Sequence, residues 1–291
     1  MDMELTQNFL RGKNPCAMGY RWFVRNNLAG GDYQAAMDTQ VAAGRVEDAR
    51  WLLQNFGATN TVLELEHLEA DNLVFAGTLI VHGDVRVSGQ LLVGRSLQVG
   101  GGIRAGKLEA GDDIHSEGAI FCDELLQAGG SIKAAWSVEV QGDIRAEELR
   151  TGWELRCGGH VSLKGSAHMG QEVEVQGDMR CGKGLRAGRS IAVQGLLEVG
   201  HGIACNDRID CGNHIQAGWG IKALGDIRAA CSIRSGETLQ ADGEIAAGPG
   251  YGVFAGMNVQ MDAWPDCAWV RALSKPSGLV SGFWEERPAF A

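Results

Sequence analysis

No stretch of the sequence comes near the roughly eighteen consecutive apolar residues that a membrane-crossing helix needs, and the opening "MDMELTQNFLRGKNPC" has no apolar core of an export signal. The expectation is a protein of the cytoplasm with no membrane span. Proline is scarce, with five residues in 291, which excludes a proline-rich linker or a collagen-like chain. Positive charge is short as well: 26 Lys and Arg stand against 36 Asp and Glu, a formal net charge of −10. That balance disfavours nucleic acid as a partner, because affinity for it rests on cations that neutralise phosphates. It suits solubility or a basic protein partner.

Glycine, in contrast, is abundant at 43 residues, and its placement is periodic. From Leu155 a step of six meets Val161, Ala167, Val173, Met179, Leu185 and Ile191, and the beat continues without a miss to Ile245. Two positions after each of these stands a second apolar or small residue, as in Cys157, Leu163, Met169 and Val175. The spacing i, i+2 is one side of a short strand. Upstream the beat runs back to Leu79, with two five-residue steps, from Ile103 to Leu108 and from Ile144 to Leu149.

A hexad with glycine at the bends reads as a parallel β-helix of six-residue rungs, three per turn. The inward pair fills the core and glycine takes the corners. About 28 hexads give roughly nine to ten turns, and stacked strands at ~4.8 Å make a rod of about 45 Å. In the left-handed hexapeptide helix of acyltransferases the small inward residue comes two positions before the aliphatic one. Here that position holds Trp153, Gln171, Lys183, Arg189, His201 and Asp207. The pattern therefore points to a right-handed parallel β-helix. It also settles Gly218-Trp-Gly220-Ile-Lys-Ala223, which imitates a dinucleotide fingerprint: its glycines are corner residues, and no amphipathic helix follows to supply the dipole a pyrophosphate needs.

The ends lack the beat. Residues 1–57 read as a helical N-terminal cap of three short helices, with Asp32 an N-cap and Gly44 and Gly57 stop signals. Residues 58–250 form the β-helix. Residues 251–291 form a C-terminal capping segment, in which "CAWVRAL" and "GLVSGFW" read as a β-hairpin.

Candidate sites are few. Cys157–His160 and Cys211–His214 are both C-x-x-H, but their cysteines sit at the inward position and read as core thiols. Cys122, Cys181 and Cys205 read the same way, while the roles of Cys16, Cys231 and Cys267 stay open. Gly-Asp-aliphatic-Arg recurs at residues 83–86, 142–145, 177–180 and 225–228 and reads as a solvated, loosely paired face. The seven histidines are scattered, and neither a catalytic arrangement nor a cofactor or metal site is expected. Trp136 and Trp153 fall on neighbouring turns of one outer face, a position where glycine dominates elsewhere. With Gln171, Arg189 and Trp219 they form the expected protein-binding surface, since exposed tryptophans are enriched at hot spots.

The repeats "GDIRAEELRTG", "GDMRCGKGLRAG" and "SIAVQGLLEVG" give residues 62–247 a pattern that resembles the bactofilins. These are polymer-forming bacterial proteins with right-handed β-helix cores. The resemblance implies filaments built end to end through uncapped helix ends, from which the helical N-terminal segment and tryptophan-rich tail depart. Three functional expectations follow. The first is a non-enzymatic, acidic solenoid that binds another protein, such as a basic toxin or effector, in the manner of an inhibitor or immunity protein. The second is a bactofilin-like scaffold that binds itself, and the remote third is a hexapeptide-repeat acyltransferase.

Overall fold

The computed structural model describes residues 6, 10–26, 28 and 32–285, and its body is an all-parallel β-solenoid preceded by helices. Each rung is short because its sequence is short: an aliphatic residue, an outward residue and a small residue give the burial alternation buried–open–buried, and a corner follows. Between the two ends, corresponding rungs mostly pair in register 17 or 18 residues apart, so Lys133 stands beside both His115 and Arg150. Three rungs of six therefore make one coil.

One face is a continuous sheet of thirteen strands, from Val62–Leu65 to Phe283–Trp284. The other two faces merge where strands Val85–Val93, Ile103–Ala110 and Ile120–Ala128 run through a corner without a break. The five-residue step from Ile103 to Leu108 is one of these places, and the register shifts there between Ala105 and Lys107. The inward column of the thirteen-stranded face includes Ile114, Ile132, Leu149, Ala167, Leu185 and Ile203, each at 2 % exposure or less. Such stacking buries apolar surface coil against coil, worth about 25 cal/mol per Å² removed from water.

The helical expectations hold closely. Helix α1 spans Ala17–Arg25, α2 spans Tyr33–Ala42 and α3 spans Val46–Phe56. The Asp32 carboxylate accepts from the Ala35 amide at 3.1 Å, and Gly44 and Gly57 adopt φ of 71° and 84°, where a β-carbon would be strained. Cys16 proves to be the N-cap of α1, its sulfur accepting from the Gly19 amide at 3.2 Å.

Three expectations about the ends need correction. The rod has about twelve turns, not nine to ten, with thirteen strands on its longest face, because parallel pairing begins at Val62 and continues to Trp284. The C-terminal segment forms no hairpin: Trp269–Arg271 pairs in parallel with Leu239–Ala241 and with Phe283–Trp284, while Leu279–Ser281 pairs in parallel with Val253–Phe254. The beat disappears there because the connections lengthen, one of them taking in the short helix Trp264–Cys267, while the pairing survives. Finally, the helices do not lie squarely over the first coil. They pack against its side, on the outward residues Val74 and Leu92. The Gln34 amide closes only one strand edge, donating to the Val74 carbonyl at 2.8 Å and accepting from the Ala76 amide at 2.9 Å. The inward Leu63, Leu65 and Leu73 remain partly exposed.

Candidate binding face

Corner residues of successive coils are linked by backbone hydrogen bonds. The Trp153 amide donates to the Trp136 carbonyl at 3.2 Å, Gln171 to Trp153 at 2.9 Å and Arg189 to Gln171 at 3.1 Å. Four of the five residues expected at a protein-binding surface thus form one column, with Trp136 62 % and Trp153 51 % exposed. Trp219 stands on a different corner. Its amide donates to the His201 carbonyl, which follows Lys183, and its ring stacks on His201 with centroids 4.0 Å apart and planes 3° from parallel. These two columns are the opposite edges of the thirteen-stranded face.

Between the edges lies what stepping by six does not separate out. The outward residues at the centre of this face run His115, Lys133, Arg150, His168, Arg186, Ala204, Lys222 and Gln240 in successive coils. Not one is acidic. Lys133, Arg150, Arg186 and Lys222 are exposed, and none belongs to an ion pair among the described residues. The other faces mix signs and pair them: Arg156 meets Glu174 at 3.5 Å, and Arg180 meets Glu198 at 3.4 Å. On the thirteen-stranded face His168 is pushed below the ordinary histidine range by partial burial, then by Arg150 and Arg186 on either side, with Glu148 opposing. A chain of net charge −10 therefore carries an unpaired cationic stripe.

Beside the stripe runs a groove of about 510 Å³. Gly184, Gly202 and Gly220 line it, with the His201–Trp219 stack on one side and Trp269 near its end. Two of these glycines differ from most others in the rod. A β-carbon on Gly188 would lie 1.9 Å from the Gly170 carbonyl oxygen, so glycine there is a requirement of the stacked coils. A β-carbon on Gly184 would meet nothing closer than 3.7 Å, and one on Gly202 nothing closer than 3.2 Å. The coil does not need glycine at 184; its bareness leaves the groove open.

The remaining motifs hold coils together. In the Gly-Asp-aliphatic-Arg repeats the aspartate does more than face water. Asp143 accepts from the His160 amide at 2.9 Å, Asp178 from Leu196 at 2.9 Å and Asp226 from Glu244 at 2.7 Å, each one coil further on. These amides, with the arginine two residues along, hold Asp143 and Asp178 below the usual carboxylate range. His160 plays the same part, its Nδ1 accepting from the Asp178 amide at 2.9 Å. So does His214, which accepts from the Ser232 amide at 3.2 Å while its Nδ1 lies 2.7 Å from the Ser232 hydroxyl. Ser232 is 3 % exposed, so the serine side of this contact is buried, while His214 is half-buried.

The C-x-x-H cysteines point inward: Cys157 donates to the Gly142 carbonyl at 3.1 Å and Cys211 to Gly195 at 3.1 Å. Burial pushes the thiols of Cys122 and Cys181 up to about 12. Cys231 sits beside the Tyr251 hydroxyl, and Cys267 is exposed in the last helix. Among the described residues no group of three or more His, Cys, Asp and Glu is placed to hold a metal, and no helix is long and apolar enough to cross a membrane.

Residues 3–58 match the YdhT N-terminal domain family. That match covers the helical segment and ends just before the first strand at Val62. No curated protein and no solved structure matches the chain. The resemblance of the rod to bactofilins rests on its repeat pattern alone.

Proposed function

We infer that this protein is a non-enzymatic binding rod that docks an acidic protein along its thirteen-stranded face. The observation that carries the reading is the unpaired column Lys133, Arg150, Arg186 and Lys222, which runs through a chain of opposite net charge. Complementary potential selects partners and speeds encounter more than it adds affinity. Anchoring falls to the exposed tryptophans on the two edges, Trp136 and Trp153 on one and Trp219 on the other. The total charge of −10 suggests a basic target, but the face that bears the aromatics has the sign that suits an acidic one. Acting by occupancy, the protein works as an inhibitor or immunity protein does.

The test is quantitative capture from cells of the native host, comparing the wild type with a variant carrying Lys133→Glu, Arg150→Glu, Arg186→Glu and Lys222→Glu. A discrete acidic protein held by the first and released by the second supports the reading. Partners held equally by both would sink it.

A second reading, a self-assembling scaffold, has its own support at the rod ends. Leu63 and Leu65 are partly exposed in the first coil, and Val280 and Phe283 are 68 % and 55 % exposed in the last. Light scattering over a concentration series separates the two: a steady 31.0 kDa particle favours the binding rod, and growth with concentration favours the scaffold.

A further inference from the structure

We propose that the segment docked on this face is an acidic stretch in the polyproline II conformation, with a carboxylate at every third residue lying against Arg150, Arg186 and Lys222 in turn. The inference rests on the acidic-partner reading above and concerns the shape of what binds.

The argument begins with spacing. Arg150 pairs with His168, which pairs with Arg186, which pairs with Ala204, which pairs with Lys222. The three permanent cations are therefore two coils apart, about 9.6 Å at ~4.8 Å per stacked strand. A polyproline II segment rises ~3.1 Å per residue with three residues per turn, so one side of it recurs every ~9.3 Å. Over the two intervals the mismatch stays near ~0.6 Å, well within the reach of a flexible side chain. A β-strand repeats its side chains every ~6.7 Å and is out of step by about 3 Å at the second cation. An α-helix returns to one side after seven residues, or ~10.5 Å, and slips by about 1 Å per interval.

Chemistry agrees with the spacing. The strands of this face are paired on both sides except at the rod ends, so no free edge runs along it for an added strand. A polyproline II segment has no internal hydrogen bonds and requires no edge; such segments dock in grooves walled by aromatic rings. The groove offers Trp219 and Trp269 as walls and bare backbone at Gly184 and Gly202 for close approach.

The experiment uses the full chain and two labelled synthetic peptides, (Glu-Pro-Pro)5 and (Glu-Pro-Pro-Pro)5, titrated by fluorescence anisotropy at low salt. Both hold five carboxylates in the same conformation, but only the first keeps them on one side. The expected result is about tenfold tighter binding of the first, which is about 1.4 kcal/mol. Arg150→Gln, Arg186→Gln and Lys222→Gln together remove that preference, while Arg145→Gln, Arg180→Gln and Arg234→Gln on a neighbouring face preserve it. Equal binding of the two peptides overturns the inference, as does binding of neither, or preference for a single-stranded oligonucleotide over both. If the native-host capture still releases an acidic protein from the charge-reversed variant, these outcomes remove only the conformation and leave the acidic-partner reading in place. If that capture fails as well, both fall.

Discussion

Gly184 and Gly188 are four residues apart in the same coil, yet alanine at the two positions is expected to do opposite things. At Gly188 the new methyl would lie 1.9 Å from the Gly170 carbonyl oxygen. Relief to ordinary contact requires a shift of about 1 Å between coils, at a strain of about 1–3 kcal/mol. That shift also weakens the hydrogen bond from the Gly188 amide to the Met169 carbonyl, now 3.0 Å, for about 1 kcal/mol more. A loss of about 2–4 kcal/mol lowers the Tm of a chain this size by roughly 5–15 °C. At Gly184 the methyl has 3.7 Å of clearance and φ is not positive, so Gly184→Ala leaves the Tm unchanged or raises it by about 1–3 °C through the unfolded chain. The same methyl projects into the groove and should weaken partner capture severalfold. Thermal unfolding followed by circular dichroism, with capture run beside it, reads both effects. Equal Tm losses for the two variants, or no loss for Gly188→Ala, would refute the claim that the two glycines exist for different reasons.

The remaining predictions concern acid, thiols and the tryptophan edge. Asp143 and Asp178 have folded-state pKa values below their unfolded ones, so their contribution is present above about pH 3.9 and is lost as pH falls through the folded value. Asp178→Ala should therefore cost about 1 kcal/mol at pH 7 and less as pH falls through the folded value; a Tm difference that stays constant with pH would contradict this. Maleimide should label Cys16 and Cys267 in the native protein and leave Cys122 and Cys181 unlabelled until denaturant is added. Mass spectrometry of the labelled chain checks the pattern, and early labelling of Cys181 would mean that the rod opens locally. Trp136→Ala and Trp153→Ala, at exposed corners, should each shift stability by less than about 0.5 kcal/mol while weakening capture; a large Tm loss would make them structural instead.

Much of the rod was legible because coil sterics act residue by residue: an aliphatic side chain must point in, and glycine must stand where a carbonyl of the neighbouring coil is too close for a methyl. The helix caps at Asp32, Gly44 and Gly57 were legible for the same local reason. What escaped were relations between distant residues. Stepping by six mixes three faces, and the cationic stripe emerges only when every third hexad is set together, placing His168 between Arg150 and Arg186. Trp219 was grouped with Trp136 although a whole sheet face separates them. The side-on packing of the helices had left a trace as well: Val74 and Leu92 are aliphatic at outward positions, where charged or polar residues stand on most other coils. At the far end, long connections between Leu239 and Val270 hid a pairing that is backbone hydrogen bonding and leaves no periodic mark in sequence.

Lysine-reactivity footprinting of the captured complex tests the central claim most directly. Lys133 and Lys222 lie on the stripe, while Lys13 and Lys275 lie in the terminal segments away from it. Slower acetylation of Lys133 and Lys222 in the complex, with Lys13 and Lys275 unchanged, is the predicted result. Unchanged rates at Lys133 and Lys222 in a complex that demonstrably holds its partner would show that the thirteen-stranded face is not where binding occurs.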